Sequence, residues 1–97
     1  MTPTPTPHVF IRAIQYAGQD EYVEIYNAGP GSQSFYGWKL QSVVGDQWYT
    51  FPWGIGLDAG SWVRVHSGPA ALDAPPLHLK WSSGYIWNNE GDEARLF

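Results

Sequence analysis

Glu21-Tyr22-Val23-Glu24-Ile25-Tyr26-Asn27 is the run that decides the fold. In an extended chain Val23 and Ile25 fall on one side, while Tyr22, Glu24 and Tyr26 fall on the other. Such alternation is the mark of a strand with one buried face and one wet face. Gly37-Trp38-Lys39-Leu40 repeats it, with Trp38 and Leu40 on one side and Lys39 on the other. The pattern belongs to antiparallel sheets rather than to parallel strands covered by helices on both faces.

Working outward, Val9 to Tyr16 reads as the preceding strand. Val9 and Ile11 share a face but Ile14 and Tyr16 have the opposite parity, so a bulge or a change of partner is expected near Arg12-Ala13. Downstream, a short extended piece around Ser34-Phe35 leads to a strand from Trp38 to about Val44. Gly45-Asp46 then turns the chain into Gln47 to Phe51, where Tyr49 and Phe51 share a face. Pro52 ends that strand because it has no N–H for a ladder. Trp53 to Gly60 reads as a loop with Leu57 as its inward anchor. Trp62 to His66 places Val63 and Val65 on one face and Trp62, Arg64 and His66 on the other. After an irregular connection, Ser67 to Pro76, the residues Leu77, Leu79 and Trp81 alternate with His78 and Lys80. Ile86-Trp87 is a brief extended piece, Asn88 to Asp92 a loop, and Glu93 to Phe97 a last strand with Ala94 and Leu96 inward. Gly or Pro interrupts every candidate helix. Short strands with turns at this spacing predict an all-β antiparallel β-sandwich of about seven to nine strands. Its expected core is Val23, Ile25, Trp38, Leu40, Tyr49, Phe51, Leu57, Val63, Val65, Leu79, Trp81 and Leu96. Trp38 is expected at the centre, where truncation to alanine costs about 3–5 kcal/mol.

Composition agrees. At 97 residues the chain is one domain, long enough to bury roughly 65% of its unfolded surface. A hydrophobic fraction of 43% against 14% charged residues excludes a disordered chain. Six Trp, six Tyr and four Phe favour pleated, half-buried surfaces. With no cysteine there are no disulfides or thiolate metal sites, so packing must supply stability. The formal charge is −4 and the five Lys and Arg residues are scattered singly. Nucleic acid is therefore a poor partner, because binding it depends on clustered cations. No apolar stretch approaches the roughly 20 residues of a membrane span.

Residues 1–8 read as a Thr/Pro-rich linker and residues 9–97 as the sandwich domain. Thr2 to Pro7 alternates Thr and Pro, which favours an extended, solvated spacer. The opening carries no signal run and looks like an internal point of a longer protein. Such spacers are common between domains of exported bacterial proteins, so an extracellular or cell-surface location is expected.

The ordered features resemble the lamin tail domain family. The residues that carry the resemblance are Glu21 to Asn27, Gly37-Trp38-Lys39-Leu40 and Tyr49-Thr50-Phe51-Pro52. They continue through Leu57-Asp58-Ala59-Gly60, Val63-Arg64-Val65, Leu79-Lys80-Trp81 and Ile86-Trp87-Asn88-Asn89. The resemblance implies an immunoglobulin-like sandwich without catalytic residues or cofactor, used for attachment and protein contacts. Members of the family usually continue beyond a segment like Gly91 to Leu96 into another strand. A bare edge at Glu93 to Phe97 is therefore expected, with self-association through it.

The outward aromatics Tyr22, Tyr26, Trp62 and Trp53 are the candidate ligand-binding residues. Flat rings on a wet sheet face stack on sugars or anchor protein hot spots; otherwise they shield the sheet. Acids cluster at Asp20-Glu21 with Glu24, and at Glu90, Asp92 and Glu93, and are expected to be solvated. The loop Asn88-Asn89-Glu90-Gly91-Asp92 has oxygen ligands and a glycine but lacks the full calcium-loop pattern. His8, His66 and His78 lack zinc-ligand spacing and are expected at the surface. No serine sits in a nucleophile elbow, and there is no phosphate loop. The expected function is a non-catalytic binding or tethering module contacting a protein or cell-surface component. The alternatives are a carbohydrate-binding module and a passive spacer.

Overall fold

A computed structural model describes residues 5–88 and 91–97 of the chain. Met1 to Thr4 of the Thr-Pro opening, and Asn89 and Glu90 of the candidate calcium loop, lie outside the described residues. Nine strands occur among the described residues. They are β1 (Val9–Gln15), β2 (Glu21–Asn27), β3 (Gln33–Ser34), β4 (Lys39–Ser42), β5 (Gln47–Thr50), β6 (Gly56–Leu57), β7 (Trp62–Ser67), β8 (His78–Ser82) and β9 (Ala94–Leu96). One sheet has the order β1-β2-β7-β8, a second β5-β4-β9, and β3 pairs with β6. The chain is an all-β immunoglobulin-like sandwich.

The register explains the parity change in β1. Ile11 pairs with Ile25 but Ala13 pairs with Glu24, so Arg12 occupies a bulge and bulged residues re-aim their side chains. Asp46 closes the β4–β5 turn at φ 49°, a conformation Asp tolerates better than most residues. Its carboxylate takes hydrogen bonds from Gln41 and Trp48.

One strand pair departs from the antiparallel expectation. β7 and β8 are parallel. Residues 68–77 carry the chain back to start β8 alongside the start of β7, and local alternation reads the same for either direction. Gly68 makes the crossing possible: at φ 106° it also lies where a Cβ would strike the carbonyl of Gln19.

Val23 and Ile25 of β2, Val63 and Val65 of β7, and Leu79 of β8 meet Leu40, Phe51, Leu57, Phe35 and Trp87 in the core. Tyr49, Trp81 and Leu96, read as core, are half-buried at its margin. Trp38 is not the centre. It stacks on Phe35 at 4.9 Å, and Phe35, absent from the expected core, is the largest fully buried side chain. Leu77 is exposed, since β8 begins only after it.

Three polar side chains staple loops to this core, and none is simply solvated. Asn27 is fully buried, and its amide makes four hydrogen bonds: to it from the N–H groups of His8 and Gly29, and from it to the carbonyls of Gly31 and Leu57. Residues 5–8 consequently run along the 27–31 turn rather than free in solvent. Thr6 accepts from Gly31 N–H and His8 from Ala28 N–H. A Cβ on Gly29 or Gly31 would collide with the backbone of this segment. Asp92 accepts from Ser42 Oγ at 2.7 Å and from the N–H groups of Val44, Asn88 and Glu93. Burial is the largest single influence on its carboxyl and acts upward, but these donors together hold it below its ordinary value. An Asp committed in this way is a poor calcium ligand. Glu21, the third staple, is buried beneath the segment at Ile86 and Trp87.

Candidate interaction face

The wet face of the β1-β2-β7-β8 sheet is built in rows by strand register. Phe10, Tyr26 and Trp62 stand side by side across β1, β2 and β7. Glu24, Arg64 and His78 form the next row, and Gln15, Tyr22, His66 and Lys80 the one after. Alternation brought the outward residues to one face; the pairing makes them neighbours.

Arginines cover the rings. Arg12 lies 4.1 Å over Tyr26, and Arg64 lies 4.3 Å over Tyr22 and 4.9 Å over Trp62. A guanidinium over a ring face is held by the ring quadrupole. Between the two arginines Glu24 accepts from Arg12 Nε at 2.8 Å and from Arg64 Nε at 2.9 Å. Burial acts upward on the Glu24 carboxyl, yet the two guanidinium groups together hold it below its ordinary range. The face thus alternates ring, cation and anion, with each part positioned by the next.

At one side of the face two of the three histidines expected at the surface, His66 and His78, form a hydrogen-bonded pair, while His8 is exposed. His66 is 2% exposed, not a surface residue. Its Nδ1 meets Asp20 Oδ1 at 2.7 Å and its Nε2 meets His78 Nδ1 at 2.9 Å. One ring nitrogen of the His66–His78 contact donates and the other accepts, so the two imidazoles and Asp20 form one hydrogen-bonded chain. Tyr22 covers one side of His66, while Trp62 packs edge-on against His78. Burial, the His66 ring and Arg64 push the His78 imidazole below its ordinary value, against the opposing pull of Asp20. Parity had placed His66 outward, but burial depends on the neighbours that close over it.

Tyr22, Tyr26 and Trp62 therefore come together, whereas Trp53 does not join them. It stands 85% exposed on the connection between β5 and β6. Arg12, Arg64, Glu24 and Phe10 belong to the face and were not among the candidates. Arg64 shares the outward parity of Trp62, the one signal that could have found it. Among the described residues no three His, Cys, Asp or Glu side chains converge as metal ligands would. The hydrogen bonds of the histidine pair connect it to Asp20 and to no hydroxyl nucleophile among the described residues.

The profile of the Lamin Tail Domain family matches residues 2–97. That span includes the Thr-Pro opening as well as every strand. A search of curated proteins found no match to the chain.

Proposed function

The chain belongs to the lamin tail domain family, and on that premise we propose that it is a non-catalytic binding module whose β1-β2-β7-β8 face docks a protein. The observation that carries the proposal is the arginine cover on the rings of Tyr22, Tyr26 and Trp62. Sugar stacking needs a bare ring face, and here guanidinium groups occupy those faces. Tyr, Trp and Arg in one patch are instead the residue types enriched in protein hot spots. Arg12 and Arg64 outnumber the single Glu24 between them, so the favoured partner presents carboxylates beside apolar groups. The Thr-Pro composition of residues 2–7 supports an exported setting, in which this face would tether the protein to a neighbour or to the cell surface.

The test is a peptide-display selection against the parent and against Trp62→Ala and Arg64→Ala variants. Acidic, apolar-flanked peptides should be recovered that bind the parent and lose either variant. Peptides that bind all three equally would remove the face from the account. Polysaccharide titration read by Trp fluorescence, with Trp53→Ala as control, separates the carbohydrate alternative, for which a saturable response is required.

A further inference from the structure

An open pocket of about 480 Å3 lies where β2 begins, lined by Gly18, Gln19, Glu21, Tyr85 and Trp87. Two of these residues carry unfinished polar chemistry. Glu21 is 1% exposed. Its Oε1 accepts from Ser67 Oγ at 3.0 Å and from the N–H groups of Ile86 at 2.9 Å and Trp87 at 3.4 Å. All three donors serve that one oxygen. Oε2 has no donor among the described residues, and none of the ion pairs there involves Glu21. The indole N–H of Trp87 is buried and has no acceptor among the described residues. Buried carboxylates are ordinarily matched by a cation, and buried N–H groups by an acceptor.

The walls favour the same class of ligand. Tyr85 is 58% exposed at the rim and Trp87 is 4% exposed at the floor. Aromatic rings beside a carboxylate form the surroundings that attract organic cations. A metal ion fits less well, because the described residues that line the pocket offer only one acidic side chain.

We propose that this pocket binds a primary ammonium group carried by a partner, which donates to Glu21 Oε2 between Tyr85 and Trp87. A lysine side chain and a chain amino-terminus both supply that group. The amino-terminus adds a carbonyl oxygen beside the ammonium group, which the lysine side chain lacks. The site shares no residue with the arginine-covered face, so it stands or falls independently of the function proposed above.

The experiment follows the assigned Trp87 indole N–H signal by NMR in isotope-labelled protein. The titrants are n-butylammonium, alaninamide in its ammonium form, and the neutral n-butanol. A saturable shift in the millimolar range with the ammonium compounds, and none with n-butanol, is the expected result. Tighter binding of alaninamide identifies the amino-terminus as the source, and tighter binding of n-butylammonium the lysine side chain. Glu21→Gln should weaken the ammonium response by roughly tenfold or more, as the loss of one charged hydrogen bond implies. Tyr85→Ala, at an exposed rim position, should weaken it with the fold intact. No saturable shift in the parent protein, or an equal shift with n-butanol, overturns the proposal even if Glu21→Gln does not fold.

Discussion

Replacing Asn27 with alanine is the sharpest test of what holds residues 5–8, the 27–31 turn and β6 together. The side chain is fully buried and makes four hydrogen bonds, to His8, Gly29, Gly31 and Leu57. Each is worth about 1 kcal/mol net, and a buried group left without a partner costs about 1–3 kcal/mol. His8 lies in an exposed position and can turn to water, so the sum rests on the other three groups. A loss of about 3–5 kcal/mol follows, a large fraction of the roughly 5–15 kcal/mol that holds a domain together. Urea unfolding reads it directly: with a slope of about 1–2 kcal/mol per molar, the midpoint falls by roughly 1.5–5 M. Asn27→Asp keeps both acceptor bonds but sets a carboxylate against the carbonyls of Gly31 and Leu57. It should be at least as destabilising at neutral pH. A midpoint within about 0.5 M of the parent for either variant would show that the amide does not hold the turn.

Phe35→Ala should cost about 3–5 kcal/mol and Trp38→Ala about half of that, since Phe35 fills the centre and Trp38 only caps it; thermal melts giving the reverse order would return Trp38 to the core. Acid should erode stability through depressed groups. Glu24 and Asp92 titrate below 4.5 and 3.8 in the fold, so their contribution is full above those values and is lost as pH falls through the folded ones. His78 acts in the same sense from 6.5 downward, so a His78→Gln variant should flatten the decline in urea midpoint below that pH. The Tyr49 phenol, pushed up to about 12 by burial and by Asp73, should stay protonated through the ordinary tyrosine range, with stability lost between 10.0 and about 12; ultraviolet titration of a Tyr49→Phe variant isolates its step. Finally, β9 bonds to β4 through residues 93, 95 and 97, which leaves the N–H and C=O of Ala94 and Leu96 pointing away from the sheet. We propose self-association along that edge: sedimentation should show dimer growing with concentration, and a proline at Ala94 should suppress it. Monomer at every concentration would refute it.

Most of the strand layout was legible because each strand packs one face. Alternation in residues 21–27 and 62–66 follows from a pleat whose two sides meet oil and water, and no tertiary knowledge is needed to read it. The same parity that sends Val23 inward sends Glu21 and Asn27 inward, although polar residues near turns are usually wet. Phe35 and Trp87 gave no such signal. Each sits in a piece too short to show a period, and its burial is decided by strands distant in sequence. The candidate site was legible only as a set of outward rings. That Arg12 and Arg64 lie over them depends on a bulge and on which strands are neighbours.

The sequence alone determined the class of the fold, the strand faces and the family, because these rest on side-chain order along one extended chain. Tertiary structure decided that β7 and β8 run parallel, that His66 is covered, that Trp53 stands apart from the other rings, and that Glu21 lines a pocket whose described residues include no Lys or Arg. Those outcomes depend on contacts between residues far apart in the chain, and local alternation carries no information about which strand will lie beside which.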